Sequence, residues 1–184
     1  VSNQANAPFK SQFSAIKNTH LMKNIRIFSL FLVLLIFQNC IYAETLVGRV
    51  VGVSDGDTIT LLDNTQTQHK IRLTGIDAPE KAQAFGQVSK KNLSNLIYNK
   101  EVEISWKKRD RYDRILGKVL LNGQDICLEQ VKHGMAWHYK KYQRDQSLED
   151  QKLYADAEAH ARASKLGLWT EPNPIEPSVF RHKK

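Results

Sequence analysis

The sequence predicts an α+β fold in which a five-stranded OB-type β-barrel has about three helices packed around it. Three observations support this class. Short β-branched segments follow one another, Gly, Asp and Asn separate them, and helical patterns lie after the third segment and after the fifth. The predicted strands are residues 46–53, 58–61, 70–74, 101–106 and 115–121.

Each strand is predicted from its own pattern. Residues 46–53 are rich in valine and interrupted by glycine, whereas residues 58–61 and 70–74 alternate polar with apolar side chains. Alternation is typical of a strand with one buried face. The Asn122-Gly123 pair after the fifth strand is a strong tight-turn signal.

Three segments have helical character. Residues 82–98 carry apolar side chains at roughly helical spacing, residues 126–133 precede Gly134, and residues 147–165 are rich in alanine and charged side chains. A glycine directly after a helical pattern commonly ends the helix. The helices are therefore predicted between the third and fourth strands and near the end of the chain.

The first 43 residues predict a targeting segment. Residues 22–26 form a basic start, residues 27–37 are apolar, and Ala43 offers a cleavage position, which is the layout of a secretory signal peptide over residues 22–43. An uncleaved N-terminal anchor is the alternative. Residues 1–21 precede the plausible start at Met22 and are left out of the fold. The protein is therefore expected to be secreted or held in the periplasm or cell envelope.

The remaining chain divides into a domain over residues 44–170 and a basic tail over residues 171–184. The tail contains three prolines and is expected to be either extended and bound to the surface or disordered. The net charge is +8, but residues 1–43 hold four basic and no acidic residues, which leaves 23 basic and 19 acidic residues afterwards. The remaining surplus of +4 is weak evidence for a polyanionic partner. Cys127 is expected to be a small buried hydrophobic residue.

Acidic residues flank two neighbouring predicted strands. Asp57 precedes the second strand and Asp77 follows the third, so pairing of these strands would bring the two carboxylates together. Such a pair suits a hard cation, although alone it is also typical of ordinary turns. Glu80 adds a third carboxylate, and Arg72 adds a cationic fork that matches phosphate. Arg72 would reach this site only if its strand curls, and Gly75 could mark the bend.

Basic and aromatic residues cluster in two further segments. Residues 107–114, which join two strands, include Arg111, Tyr112 and Arg114, types that contact phosphates and bases. A solvated basic loop is the alternative. Residues 134–142 combine aromatic side chains with lysines, and for Trp137 we expect packing rather than stacking on a base.

Three segments together resemble the staphylococcal nuclease (thermonuclease) family over about residues 45–170. They are Asp55-Gly56-Asp57-Thr58, then Arg72-Leu73-Thr74-Gly75-Ile76-Asp77-Ala78-Pro79-Glu80, then Asp110-Arg111-Tyr112-Asp113-Arg114. Their order and separations are similar to those of the family. Asp113 stands where a glycine is common, and aspartate tolerates a left-handed backbone better than most residues.

The resemblance implies a set of roles. Asp57, Asp77 and the Ala78 carbonyl would ligate Ca²⁺, and Glu80 would be the general base. Arg72 and Arg114 would bind phosphate. The nucleotide would contact Arg111, Tyr112 and either Tyr139 or Tyr142.

The implied activity is a calcium-dependent endonuclease that cuts DNA and RNA with little sequence preference and leaves 3′-phosphate ends. We expect a monomer without an obligate protein partner and without a membrane attachment once the signal peptide is cleaved. Two alternatives remain open: an inactive OB-type module that only binds nucleic acid, and a metal-stabilised structural or adhesion domain.

Overall fold

The computed structural model describes residues 44–182. The predicted upstream segment, the signal peptide and the last two residues lie outside this range. Its strands are β1 (Glu44–Asp55), β2 (Thr58–Asp63), β3 (Gln68–Leu73), β4 (Ile76–Asp77), β5 (Glu101–Arg109), β6 (Ile115–Leu121), β7 (Gln124–Asp125) and β8 (Trp137–His138). Its α-helices are α1 (Gly86–Ile97), α2 (Ile126–Lys132), α3 (Leu148–Ala163) and α4 (Pro177–His182), and 3-10 helices span Lys140–Asp145 and Gly167–Thr170.

Five strands close into the predicted barrel. Antiparallel pairing gives the order β3, β2, β1, β5 and β6, and parallel pairing of β3 with β6 closes the ring. Strand β1 pairs with β5 through its first half and with β2 through its second half, where two register shifts interrupt the ladder. Such bulges bend a strand, so β1 can belong to both sides of a small barrel.

The barrel interior is filled by the apolar side chains that the alternating patterns predict. Ile59, Leu61, Ile71 and Ile104 are fully buried. Burying each such side chain contributes about 1.5–3 kcal/mol relative to leaving it exposed. Cys127 is also fully buried, as expected, and its Sγ accepts a hydrogen bond from the Val119 amide at 3.5 Å.

The three longer helices lie where the sequence predicts them, and polar residues cap two of them. The Asp125 carboxylate accepts a hydrogen bond from the Leu128 amide at the start of α2, and Ser147 accepts one from the Asp150 amide at the start of α3. An N-cap of this kind satisfies an amide that the helix leaves unpaired. No helix among residues 44–182 is both long and apolar enough to cross a membrane.

A second, two-stranded sheet joins the end of the barrel to a later part of the chain. Strand β4 pairs antiparallel with β8, which places Asp77 opposite Trp137. The Tyr139 amide then donates a hydrogen bond to the Gly75 carbonyl at 2.9 Å. The loop that carries Asp77 is therefore held from both sides.

The tail differs from the extended segment that its prolines predict. Helix α4 spans Pro177–His182, and the amides of Val179 and Phe180 both donate to the Glu176 carbonyl at 3.0 Å. Proline lacks an amide hydrogen and is well suited to the first position of a helix. The three prolines of the tail are therefore compatible with a short helix near its end.

Candidate active site

The turn that carries Asp57 lies beside the end of β3. Strands β2 and β3 are paired so that Thr58 lies opposite Arg72, and the Leu73 amide donates to the Asp57 carbonyl at 2.8 Å. This register brings the β1–β2 turn and the β3–β4 turn to the same end of the barrel. The predicted convergence of Asp57 and Asp77 follows from it.

A glycine turn, rather than a gradual curl, brings Arg72 to Asp77. Strand β3 ends at Leu73, Gly75 adopts a φ of +76°, and β4 returns with Asp77. A Cβ atom on Gly75 would also lie 2.5 Å from Nε2 of Gln146. Glycine satisfies both requirements because it has no side chain to clash in the left-handed region.

Arg72 lies at the centre of the acidic group. Its Nη2 is 3.0 Å from Oδ2 of Asp57 and 3.0 Å from Oδ1 of Asp77. Its Nη1 donates to the carbonyls of Leu73 and Ile76 at 2.6 and 3.0 Å. One guanidinium group therefore joins both aspartates to the backbone of the turn between them.

Asp57 is buried and has fixed partners. Its Oδ2 accepts a hydrogen bond from the Ala78 amide at 2.8 Å, and its Oδ1 accepts one from the Thr58 hydroxyl at 3.0 Å. Burial raises the pKa of Asp57 to about 7, and the neighbouring Asp55 and Asp77 act in the same direction against Arg72. A buried carboxylate beside other carboxylates is stabilised in its charged form by a nearby cation.

A second arginine, which sequence reasoning missed, completes the group. Arg181 of helix α4 donates through Nη1 to Oδ1 of Asp77 at 3.1 Å and to Oε1 of Glu80 at 2.7 Å. Its Nη2 donates to Oδ2 of Asp77 at 3.0 Å. Burial opposes the charge of Arg181, but these hydrogen bonds outweigh it and raise its pKa. Glu80 is thus joined to Asp77 through the tail.

Arg114 stands apart from the acidic group. In the loop between β5 and β6 it is bound to Asp110, with Nε and Nη2 at 2.8 and 2.7 Å from Oδ2. Asp113 adopts a φ of +61°, the left-handed conformation that aspartate tolerates better than most residues. The loop is ordered by Asp110, whose Oδ1 also accepts the amide hydrogens of Tyr112 and Arg114.

The four predicted nucleotide contacts lie in two groups, and all but the half-buried Tyr139 are exposed. Tyr112 is 64% exposed, and the guanidinium groups of Arg111 and Arg114 lie 4.8 and 5.5 Å from its ring centre. The rings of Tyr139 and Tyr142 are in contact with each other, and their centres are 5.0 Å apart. Tyr139 and Asp77 line the same cleft. Burial raises the pKa of Tyr139, and the nearby Asp77 adds to this effect.

Trp137 has the packing role that we expected. It is 8% exposed, and its ring meets that of Trp169 at 4.4 Å in an edge-on arrangement. The guanidinium group of Arg162 lies 3.9 Å from the centre of the Trp169 ring and 4.7 Å from that of Trp137. This contact fixes α3 against the segment that precedes the tail.

The donor set at the barrel end fits a hard divalent cation. Asp57 and Asp77 supply only oxygen donors, and both side chains are buried. Carboxylate oxygens are the ligands that Ca²⁺ prefers. Within residues 44–182, no three His, Cys, Asp or Glu side chains are arranged to hold one metal ion together. The protein therefore offers two carboxylates to the cation. The remaining ligands would come from the backbone, water or substrate.

Comparison with known proteins agrees with this geometry. The family model described as "Staphylococcal nuclease homologue" matches residues 70–171. An uncharacterized endonuclease of Haemophilus influenzae is 46% identical over 162 residues, which cover 88% of this chain and 87% of the relative. A micrococcal nuclease of Shigella flexneri is 41% identical over 143 residues, which cover 73% and 79% of the two chains.

These similarities extend through the barrel, the acidic group and the arginine loop, and they span most of the relatives' own length. The OB-type barrel with its surrounding helices agrees with the same assignment. The chain therefore belongs to the staphylococcal nuclease family.

Proposed function

We propose that this protein is a Ca²⁺-dependent endonuclease that hydrolyses phosphodiester bonds in DNA and RNA. The observation that carries the proposal is the pair of buried aspartates bridged by Arg72, with Glu80 joined to the same group. Membership of the family and the nuclease names of its relatives support the activity. Secretion through residues 22–43 is part of the proposal.

Asp57, Asp77 and the Ala78 carbonyl would hold the cation. When bound, Ca²⁺ supplies positive charge beside a substrate phosphate and balances the carboxylates around it. Arg72 already has the position and donors to bind a phosphate oxygen next to the two aspartates. Its backbone contacts keep the guanidinium fixed, which reduces the reorganisation needed when charge develops on the phosphate.

Glu80 would accept the proton of the attacking water. Its carboxylate is 38% exposed, so water can reach it, and it lies on the loop that follows Asp77. General-base assistance contributes about 10²–10⁴-fold to a rate. Arg114 would exchange Asp110 for a phosphate oxygen and stabilise charge on the leaving 5′-oxygen, which produces the 3′-phosphate end.

Three aromatic residues would guide the nucleotide. Tyr112 and the Tyr139–Tyr142 pair offer ring faces or edges to a base, and stacking of this kind tolerates any sequence. Phosphate contacts likewise carry no sequence information. The enzyme would therefore cut nucleic acids with little sequence preference.

Supercoiled plasmid and total RNA, each incubated with the full chain in Ca²⁺ or in EGTA, test the proposal. We expect cutting only with Ca²⁺, new 5′-hydroxyl ends that polynucleotide kinase labels without phosphatase treatment, and about a 10²–10⁴-fold slower rate for Glu80→Gln. Glu103→Gln, which changes an exposed glutamate on β5, is the matched control. Binding of DNA without cutting in either solution would instead identify the inactive binding module.

A further inference from the structure

The C-terminal tail places its own cation on the oxygens that the proposed function needs. Arg181 uses two nitrogens to bind both oxygens of Asp77, and one of these nitrogens also binds Oε1 of Glu80. Oδ1 of Asp77 accepts a further hydrogen bond from Arg72 at 3.0 Å. Both Asp77 oxygens and one Glu80 oxygen are therefore engaged by guanidinium donors.

Further contacts beside Arg181 hold the tail in this position. Gln83 donates to the Ile175 carbonyl at 2.6 Å, and Pro177 is buried. Between the tail and the loop after Asp77 there is a cleft of about 190 Å³, which Pro79, Phe85 and Phe180 help to line. An incompletely filled contact forgoes dispersion energy. The Arg181 side chain that anchors the tail is 39% exposed, so water can hydrate it when it leaves the carboxylates.

We infer that residues 171–182 form a self-inhibitory strap, in which Arg181 occupies the calcium and catalytic carboxylates until Ca²⁺ and substrate displace it. The inference rests on the proposed function, because it takes Asp77 as a calcium ligand and Glu80 as the base. It adds a regulatory contact that neither role requires.

Arg181 and Ca²⁺ would compete for the Asp77 carboxylate. A bound Ca²⁺ lies 2.3–2.6 Å from its oxygen ligands. Arg72 binds Oδ1 of Asp77, whereas Nη2 of Arg181 lies 3.0 Å from Oδ2, where its charge would repel a cation that approaches this second oxygen. Oε1 of Glu80 is also occupied by Nη1 of Arg181 at 2.7 Å and must be released before this oxygen can approach a water molecule. The docked strap therefore opposes both cation binding and base catalysis.

The strap and Ca²⁺ must then weaken each other's binding by the same factor, since linkage between two binding events is reciprocal. Calcium should release the strap in the wild-type chain, and loss of Arg181 should tighten calcium binding. A protein whose competent state is only partly populated shows a correspondingly weaker apparent affinity. Both effects can be measured without an activity assay.

The first test is isothermal titration of the full chain with CaCl₂. We expect Arg181→Gln to bind Ca²⁺ about tenfold more tightly than the wild type, within the range usual for such coupling. Phe180→Ala removes a wall of the cleft without changing charge and should tighten binding by about threefold. Arg49→Gln removes an exposed arginine from the first half of β1 and is the control for net charge, with a change below about twofold. Unchanged or weaker binding by Arg181→Gln would overturn the inference, and so would an effect of Arg181→Gln without one of Phe180→Ala.

The second test is hydrogen exchange of the tail, followed by mass spectrometry. In the wild type, Ca²⁺ should speed deuterium uptake in peptides that cover residues 176–182, and Arg181→Gln should show fast uptake with or without Ca²⁺. Slower or unchanged uptake in the wild type on adding Ca²⁺ would show that the strap stays docked and would overturn the inference.

Activity separates this inference from the function on which it rests. If no variant binds Ca²⁺ or cuts DNA, the proposed function fails and the strap fails with it. If the wild type and Arg181→Gln bind Ca²⁺ equally and cut DNA equally, only the strap fails. A slower Arg181→Gln enzyme would likewise overturn it, because Arg181 would then assist the reaction.

Discussion

The two arginines predicted to bind phosphate have different surroundings. Arg72 lies at the end of β3 with a side chain that is 13% exposed, and it is bound to two buried aspartates and two backbone carbonyls. Arg114 lies in a loop with a side chain that is 31% exposed, and its ion-pair partner is Asp110, four residues earlier. Removing the same charge from the two positions should therefore have different effects on the fold.

The difference in surroundings gives the two arginines different roles in stability and in substrate binding. Arg72 helps the barrel end to fold because it compensates carboxylates that cannot reach water. Arg114 has an ion pair on the protein surface, which contributes little to stability and is readily exchanged. One arginine is a fixed part of the site, and the other has to change partners before it can bind substrate.

The largest effect is expected for Arg72→Gln. Nuclease activity should fall by at least about 10²-fold, and the free energy of unfolding should fall by about 3 kcal/mol because buried carboxylates lose their cation. Urea unfolding followed by tryptophan fluorescence, beside a plasmid-cutting assay, measures both. Arg49→Gln is the matched control. If Arg72→Gln lowers the free energy of unfolding by less than about 1 kcal/mol, Arg72 does not stabilise the fold in this way.

Arg114→Gln should separate activity from stability. We expect kcat/KM on an oligonucleotide to fall by about 10²–10³-fold, whereas the free energy of unfolding should change by less than about 1 kcal/mol. The same two assays apply. A loss of stability as large as that of Arg72→Gln would remove the contrast between the two regions.

The smallest effect is expected for Asp110→Asn, which loosens the partner of Arg114. The free energy of unfolding at pH 7 should fall by less than about 1 kcal/mol, and kcat/KM should rise by no more than about fivefold.

The contribution of Asp110 to stability should depend on pH. Burial opposes the charge of Asp110, but hydrogen bonds from Arg114 and two amides outweigh it and lower its pKa. Its stabilisation is therefore complete above the ordinary pKa of 3.8 and is lost as pH falls below that value.

Urea midpoints of the wild type and Asp110→Asn at several pH values test this dependence. The gap between the two should be constant near neutrality and should close under acidic conditions. Asp113→Asn makes the same change on a carboxylate that is 86% exposed and should show a smaller gap throughout. A gap that widens in acid would reverse the assigned sign.

Local patterns predicted most of the fold. Alternation located β2, β3 and β5 because each has one face in the core, and β-branched residues located β1. Asn122-Gly123 marked the β6–β7 turn, where both residues have positive φ. The convergence of Asp57 and Asp77 followed from adjacent strands, and the left-handed Asp113 is compatible with the resemblance, in which a glycine is common at this position. These features depend on neighbours in sequence or on one strand pairing.

Two features had no local signal. Arg181 meets Asp77 across 104 positions of sequence, and the three prolines and the basic end of its segment are typical of an exposed tail. The partner of Arg114 was also missed, because an arginine in a basic loop suggests substrate contact rather than an ion pair with Asp110. Long-range docking and competition among charged partners depend on the assembled structure.

Pairing between β4 and β8 has a consequence for how the chain folds. Asp77 is held opposite Trp137, and the next hydrogen bond joins Tyr139 to Gly75. The acid-bearing turn therefore acquires its shape only when a segment roughly 60 residues later has docked, and closing a loop of that length is slower than forming a local hairpin. During refolding, hydrolytic competence should return with the slowest phase, after barrel fluorescence has already recovered.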